Sequence, residues 1–256
     1  MCLLLFAQGV HPDYPLVVAA NRDEFHARPT APAAWWPEGI LAGRDLKAGG
    51  TWLGVSRTGR FAALTNFRDP QNNDPQRASR GQLVVEALLD TGAAVDFAAS
   101  LRAAEARYNG FNLVFGHVND GLHSYNNHDH VDHALGYGLY GLSNHLLETP
   151  WPKVARGKAL LEAYIAQAVD LNAEKLFELL ADRHIPPDEA LPNTGIALEW
   201  ERLLAPMFIV DQTYGTRCST VILLRADGEL QFSERSYHPD GSPAETQTFS
   251  FRLGAG

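Results

Sequence analysis

The second residue of this chain is a cysteine, and a cysteine at that position can hold a complete nucleophilic apparatus. Cys2 is small enough to permit removal of Met1, which leaves a thiol and a free α-amine on one residue. An α-amine with an ordinary pKa near ~8 accepts the thiol proton at neutral pH, so no separate histidine base is needed. A cysteine opening an apolar stretch also reads as a small buried strand residue, and its neighbours decide between the two. The segment Asn21-Arg22-Asp23-Glu24 follows the strand candidate Leu16–Ala20 with more charge than a turn requires. If that strand pairs antiparallel with Cys2–Gln8 through the connection Gly9–Pro15, its far end lies beside Cys2. Arg22 then holds a thiolate or a substrate anion, and Asp23 or Glu24 orients the amine. Adjacent residues leave a strand on opposite faces, so at most one of Arg22 and Asp23 faces Cys2. Arg22 is the first candidate and Asp23 the second.

The elements that must position these groups follow from periodicity. Alternating or continuous apolar runs predict strands at Cys2–Gln8, Leu16–Ala20, Thr51–Ser56 and Arg60–Asn66. Between them Arg28–Pro37, with Pro29, Pro32 and the pair Trp35-Trp36, predicts an ordered loop able to wall a pocket. The period then becomes helical, with Leu83, Val84, Ala87 and Leu88 on one face and a second, alanine-rich helix over Val95–Tyr108. Phe111–His117 and Leu122–Asn126 read as a hairpin around Asn119-Asp120-Gly121. Helices resume over Trp151–Val169 and Ala173–Leu180, and strands close the chain at Arg217–Arg225, Glu229–Tyr237 and Glu245–Leu253. Ile185–Thr194, rich in proline, reads as a lid or a surface loop. Blocks of strands and helices without βαβ alternation imply an α+β fold of antiparallel sheets with helices on their outer faces. No repeat or linker divides residues 1–256, so one domain is expected.

Composition narrows the partners. The formal net charge of −9 over 256 residues, with no basic run, offers nothing to a nucleic acid. The apolar stretch Leu3–Ala7 is too short for a signal-peptide core or a membrane span, and two cysteines in all point to a reducing cytoplasm. A small-molecule ligand or substrate is the expected partner; the oligomeric state is left open. His123, His128, His130 and His133 crowd one segment, but their spacing fits no zinc pattern, so no metal site is assigned and a solvated hairpin is expected. Gly54-Val55-Ser56-Arg57-Thr58 lacks the second glycine of a nucleophile elbow, and no phosphate-binding glycine loop joins a strand to a helix.

Several further segments carry a resemblance. Met1-Cys2, Asn21-Arg22-Asp23-Glu24, Gly49-Gly50-Thr51-Trp52-Leu53-Gly54, Leu64-Thr65-Asn66-Phe67-Arg68, Gly81, Gly141-Leu142-Ser143-Asn144 and Gly215-Thr216-Arg217-Cys218-Ser219-Thr220 together resemble the NRDE family, also called the transport and Golgi organisation protein 2 family. The resemblance runs nearly end to end. It implies a four-layered αββα fold related to the N-terminal-nucleophile amidohydrolases, particularly the bile-salt hydrolase and penicillin V acylase group. Carried over residue by residue, it makes Cys2 the nucleophile, Asn66 the oxyanion-side asparagine and Asn144 the asparagine that positions amine and substrate. An uncharged amide suits that role, since it stabilises a developing oxyanion without competing for the nucleophile's proton. In the hydrolases other residues separate the arginine from the aspartate, whereas Arg22 and Asp23 are adjacent here, and Arg217 has no clean counterpart among their arginines.

Two functions from different classes follow. One is a cysteine amidohydrolase for a small amide or acyl compound, requiring no cofactor. The other, implied by the haem-trafficking role of relatives, is a carrier of haem or another apolar acidic ligand. No Cys-x-x-Cys-His motif is present, so haem would bind noncovalently. Arg22 or Arg217 would meet its carboxylates, the Trp35-Trp36 region would form an apolar wall, and Cys2, His26 or His145 would be the axial ligand.

Overall fold

The computed structural model describes residues 2–254, and Met1, with the question of its removal, lies outside the described residues. Along the chain run β1 (Cys2–His11), β2 (Tyr14–Phe25), β3 (Thr30–Trp35), β4 (Ile40–Asp45), β5 (Leu53–Ser56) and β6 (Arg60–Asn66). Next come α1 (Gly81–Leu89), α2 (Ala94–Ala104), β7 (Phe111–His117), β8 (Gly121–Asn126), β9 (Val131–Ala134) and β10 (Gly138–Leu142). The chain continues through α3 (Pro152–Gln167), α4 (Ala173–Leu180), α5 (Leu198–Leu203), β11 (Tyr214–Leu224), β12 (Glu229–Tyr237) and β13 (Pro243–Arg252). These elements form two compact units, one of residues 2–27, 137–143 and 147–252, the other mainly of residues 28–136 and 144–146.

The first unit is a six-stranded antiparallel sheet in the order β10-β1-β2-β11-β12-β13. Side chains alternate across its strands, and Leu3, Leu5, Ala7, Val17, Ala19, Val221 and Leu223 share one face. That face packs on the apolar stripes of two helices, Val154, Leu161 and Ile165 of α3 and Leu176, Phe177 and Leu180 of α4. Pro152 opens α3 at a position where its missing N–H has no helical partner to lose. Asn172 caps α4, its side chain accepting from the Glu174 N–H at 2.7 Å. Helix and sheet touch closely at Gly157, where a Cβ would lie 2.7 Å from Leu5 Cδ1. Leu4, Phe6, Leu16, Val18 and Ile222, on the other face, are buried as well, which is why β1, β2 and β11 read as nearly continuous apolar runs.

The second unit is a seven-stranded antiparallel sheet in plain sequence order, β3 to β9. Helices α1 and α2 bury Leu83, Val84, Leu88, Phe97 and Leu101 against Ala62, Leu64, Leu113 and Phe115 of its strands. The motif glycines have a structural reason: the backbone at Gly50 crosses that at Gly81, and the Thr51 N–H donates to the Gly81 carbonyl at 3.2 Å.

The structure corrects three expectations. Strand β2 does not stop at Ala20 but runs on through Asn21, Arg22, Asp23 and Glu24 to Phe25, because its pairing with β11 continues to Tyr214 and the Asn21 and Asp23 side chains meet Ser219 and Thr216 there. Arg28–Pro37 is not a loop throughout, for Thr30–Trp35 forms β3. It lies at the sheet edge, where the N–H missing from Pro32 need not join a ladder. Downstream of the proline-rich segment 185–194, helix α5 was not anticipated; nor were the strands β4, β9 and β10. Among the described residues no helix is long and apolar enough to cross a membrane.

Gly50→Ala would place a Cβ 2.5 Å from the Gly81 carbonyl carbon. We expect a loss of about 2–4 kcal/mol in urea denaturation, the range of a backbone clash in a packed site. Gly39→Ala is the control: φ is +81° with nothing within 4 Å, and only the left-handed backbone cost of about 1–2 kcal/mol applies.

Candidate functional site

The register of the first unit decides which motif residues meet. Cys2 pairs with Arg22, and Arg22 pairs on its other side with Cys218. Directly opposed residues of antiparallel strands point to the same face, so thiol, guanidinium and thiol form a row across β1, β2 and β11. Two strand spacings separate the cysteines by about 10 Å, beyond the reach of a disulfide. Arg22 is buried at 6% exposure, Cys2 is half-buried and Cys218 buried. Burial pushes both thiols up from their ordinary values: at Cys2 the Asp23 carboxylate adds to the rise while Arg22 opposes it, and at Cys218 Glu234 adds to it. The resting thiol of Cys2 is therefore protonated and needs a base before it can act as a nucleophile.

Asn21 and Asp23 leave β2 on the opposite, helix-bearing face. The Asn21 amide donates to the carbonyls of Leu180, at 2.9 Å, and Met207, at 2.8 Å, while its oxygen accepts from Ser219 Oγ at 2.6 Å. Tyr237 extends this chain by donating to Ser219 Oγ at 3.1 Å. Asp23 Oδ1 accepts from Thr216 Oγ1 at 2.7 Å, and the Asp23 carbonyl accepts from the Tyr214 hydroxyl at 3.0 Å. Burial raises the Asp23 carboxyl, and the charge of Lys153 opposes that rise. Lys153, a buried lysine in the first turn of α3, donates to the Leu204 carbonyl at 2.9 Å. Sequence reasoning missed it; the one available signal was a lysine directly before the buried Val154.

Arg217 occupies the bulge between Thr216 and Cys218, where β11 slips by one residue against β2. Its guanidinium donates to the carbonyls of Phe25, at 3.0 Å, and His26, at 3.3 Å. The register sets Arg217 beside Arg22 on the neighbouring strand, and burial with the charge of Arg22 lowers its pKa. His26 is committed locally, its Nε2 lying 3.0 Å from the Asp211 carbonyl oxygen. Directly after β10, Ser143 Oγ donates to the Cys2 carbonyl at 3.1 Å and ties the end of β10 to the first residue of β1.

In the second unit Asn66 ends β6, and its carbonyl accepts from the side chain of Asn144 at 2.9 Å. Asn144 is fully buried, and its own carbonyl accepts from the Arg68 N–H at 2.7 Å. The structure therefore brings the two asparagines together. Asn112, which the sequence did not single out, supports them by donating to Thr65 Oγ1 at 2.9 Å and to the His145 carbonyl at 3.0 Å. His145 lies against Phe67, with ring centroids 5.0 Å apart, and Phe67 stacks on His128 at 4.1 Å. Burial, with the neighbouring His128, lowers the pKa of His145. Trp36 belongs to the core of this unit, its Nε1 donating to the Ala42 carbonyl at 3.1 Å, while Arg57 covers the ring of Trp35 at 3.9 Å. In the histidine-rich hairpin, His123 pairs with Asp132 at 3.1 Å and His130 with Glu105 at 2.8 Å, and no three ligating side chains converge among the described residues.

Asn21→Ala strands two carbonyls inside the core. We expect it to lower the unfolding free energy by about 3 kcal/mol, the cost of buried acceptors left without donors, as read from urea melts. Because burial raises the Cys2 thiol, its alkylation by iodoacetamide should increase with pH through a midpoint above that of the same cysteine in the unfolded chain. A midpoint at or below the unfolded value, followed by mass spectrometry of the Cys2 peptide, contradicts the geometry.

A model of the family described as Transport and Golgi organisation 2 matches residues 1–239. The Transport and Golgi organization protein 2 homolog of Homo sapiens is 37% identical over 275 residues, covering 99% of each chain. The Drosophila melanogaster Transport and Golgi organization protein 2 is 27% identical over 275 residues, covering 92% of each. Among solved structures, the Caenorhabditis elegans ortholog of N-acylethanolamine-hydrolyzing acid amidase superposes with a TM-score of 0.51 over 87% of this chain and 92% of that one. At 10% identity that likeness is one of fold, and the fold is α+β of the N-terminal-nucleophile type, built on antiparallel sheets. With its family model matched over most of its length and relatives aligned end to end, the chain belongs to the Transport and Golgi organisation 2 family.

Proposed function

We propose that this protein is a cysteine amidohydrolase acting on a small amide or acyl compound in the cytoplasm, with Cys2 as nucleophile. The observation that carries the reading is the direct pairing of Cys2 with Arg22, on a fold shared with an amidase. Arg22 offers a fixed positive charge to the thiolate or to an anionic substrate group. Since burial holds the thiol protonated, a base must take its proton; removal of Met1 would supply one as the Cys2 α-amine. The thiolate then attacks the acyl carbon, the amine leaves with that proton, and water releases the acid from the thioester. Asn66 and Asn144 enter as amide donors by family resemblance.

Cys2→Ala and Cys2→Ser should each reduce turnover in a screen of amide substrates by about a thousandfold or more. Intact mass of the native protein should show Met1 absent. Turnover that persists in Cys2→Ala overturns the reading.

A second reading is favoured by the proximity of Arg217 to Arg22: a carrier for an apolar ligand bearing carboxylates, such as haem. Two guanidinium groups suit carboxylates. The axial position fits less well, since the Cys2 thiol is held protonated and His26 is bound to the Asp211 carbonyl. Haem titration decides it. An unshifted Soret band, or affinity unaffected by Arg22→Gln, counts against the carrier.

A further inference from the structure

The row that starts at Cys2 does not end at Cys218. Thr220 lies two residues further along β11, on the same face, and pairs with Glu234 of β12. Glu234 is buried at 3% exposure, and Thr220 Oγ1 donates to its Oε2 at 3.4 Å. The Cys218 thiol hydrogen-bonds to the same carboxylate. A carboxylate this deep is costly unless an opposite charge compensates it. Arg235, the next residue, points to the other face, where it binds Glu174. The strand on the far side, β13, offers only Gln247 opposite Glu234. Asp23 and Lys153 are on the helix-bearing face, and Glu24, on Arg22's face of β2, is only half-buried and accepts from the Phe25 N–H at 2.8 Å. On Glu234's own face, diagonally across β11, stands Arg22.

We propose that Glu234 is the counter-ion of Arg22 and a positioning residue for it, setting the positive field that an incoming ligand meets at Cys2. The carboxylate anchors the guanidinium over Cys218 and offsets the Arg22 charge beside the Cys2 thiol. Anionic groups are thereby drawn to Cys2 less strongly than Arg22 alone would draw them. The inference needs only the placement of Cys2 and Arg22, and holds whether the pocket hydrolyses its ligand or carries it.

The test compares two alkylating reagents of similar size, neutral iodoacetamide and anionic iodoacetate, on the full chain. In both reactions the Cys2 thiolate attacks the methylene carbon, a C–S bond forms, the C–I bond breaks and iodide leaves with the electron pair. The ratio of the two rates at Cys2, resolved by peptide mass, reports the local charge and cancels any change in accessibility. Glu234→Gln should raise the iodoacetate-to-iodoacetamide ratio by about three- to fivefold, the size expected for one buried charge roughly 10 Å or more away. Glu234→Asp, which keeps the charge, should leave the ratio within about twofold of the parent, whereas Arg22→Gln should lower it. If Glu234→Gln fails to fold, Arg22→Gln/Glu234→Gln reads the pairing instead: it should fold and be the more stable, because removing both members of a buried pair is better tolerated than removing one, and a double variant no more stable than Glu234→Gln overturns the proposal. A ratio unchanged by loss of the Glu234 charge, including a rise of both rates by the same factor, overturns the proposal.

Discussion

One strand, β2, is buried on both faces, and the period of two that governs every strand divides its polar residues between them. Asn21 and Asp23 turn toward the helices, and Arg22 turns toward Cys2. The rest of the first unit depends on that division. A run of polar residues in a central strand would be untenable if any were left without partners, since each buried donor or acceptor that lacks one costs about 1–3 kcal/mol. Here the two outer residues of the triplet fix the loop after α4 and the start of β11. The middle one, Arg22, is turned to the opposite face, beside Cys2.

The division also separates the charges. Asp23 and Lys153 occupy the helix-bearing side, where a buried acid and a buried base moderate one another. Arg22, Arg217 and the two thiols belong to the other environment, where buried Glu234 and half-buried Glu24 are the acids. Had Arg22 and Asp23 faced the same way, they would have neutralised each other beside Cys2, and little field would remain for a substrate. The bulge at Arg217 brings a second guanidinium into the region without a change in the strand order, since it costs only one unpaired residue.

Much of this was legible from residues alone, wherever a local signal carried the answer. Phe111–His117, Glu229–Tyr237 and Ala173–Leu180 are bounded in the structure as periodicity and turn residues indicate. The pairing of Cys2 with Arg22 follows from treating the first two strands as a hairpin. What failed needed information from elsewhere in the chain. Polar residues after Ala20 suggested a strand end because their partners, Ser219, Thr216 and the Leu180 and Met207 carbonyls, are more than 150 positions away. Prolines concealed β3, since only its edge position makes them tolerable. Glu234 was invisible for the same reason: its relation to Cys2 passes through three strand pairings.

The protonated state of Cys2 limits what Arg22 does for it. A neighbouring guanidinium commonly lowers a thiol's pKa, yet burial outweighs it here, with Asp23 acting in the same direction. Arg22 thus does not by itself hold a standing thiolate, which would invite oxidation and alkylation. Its charge becomes effective when negative charge arrives, either on a thiolate as its proton leaves or on a ligand's carboxylate. An arginine whose position is fixed by the sheet and whose charge is partly offset is suited to that later stage, because it stabilises the arriving anion without reorganising. The same physics serves a hydrolase and a carrier, so what separates them at this site is the group that takes the thiol proton.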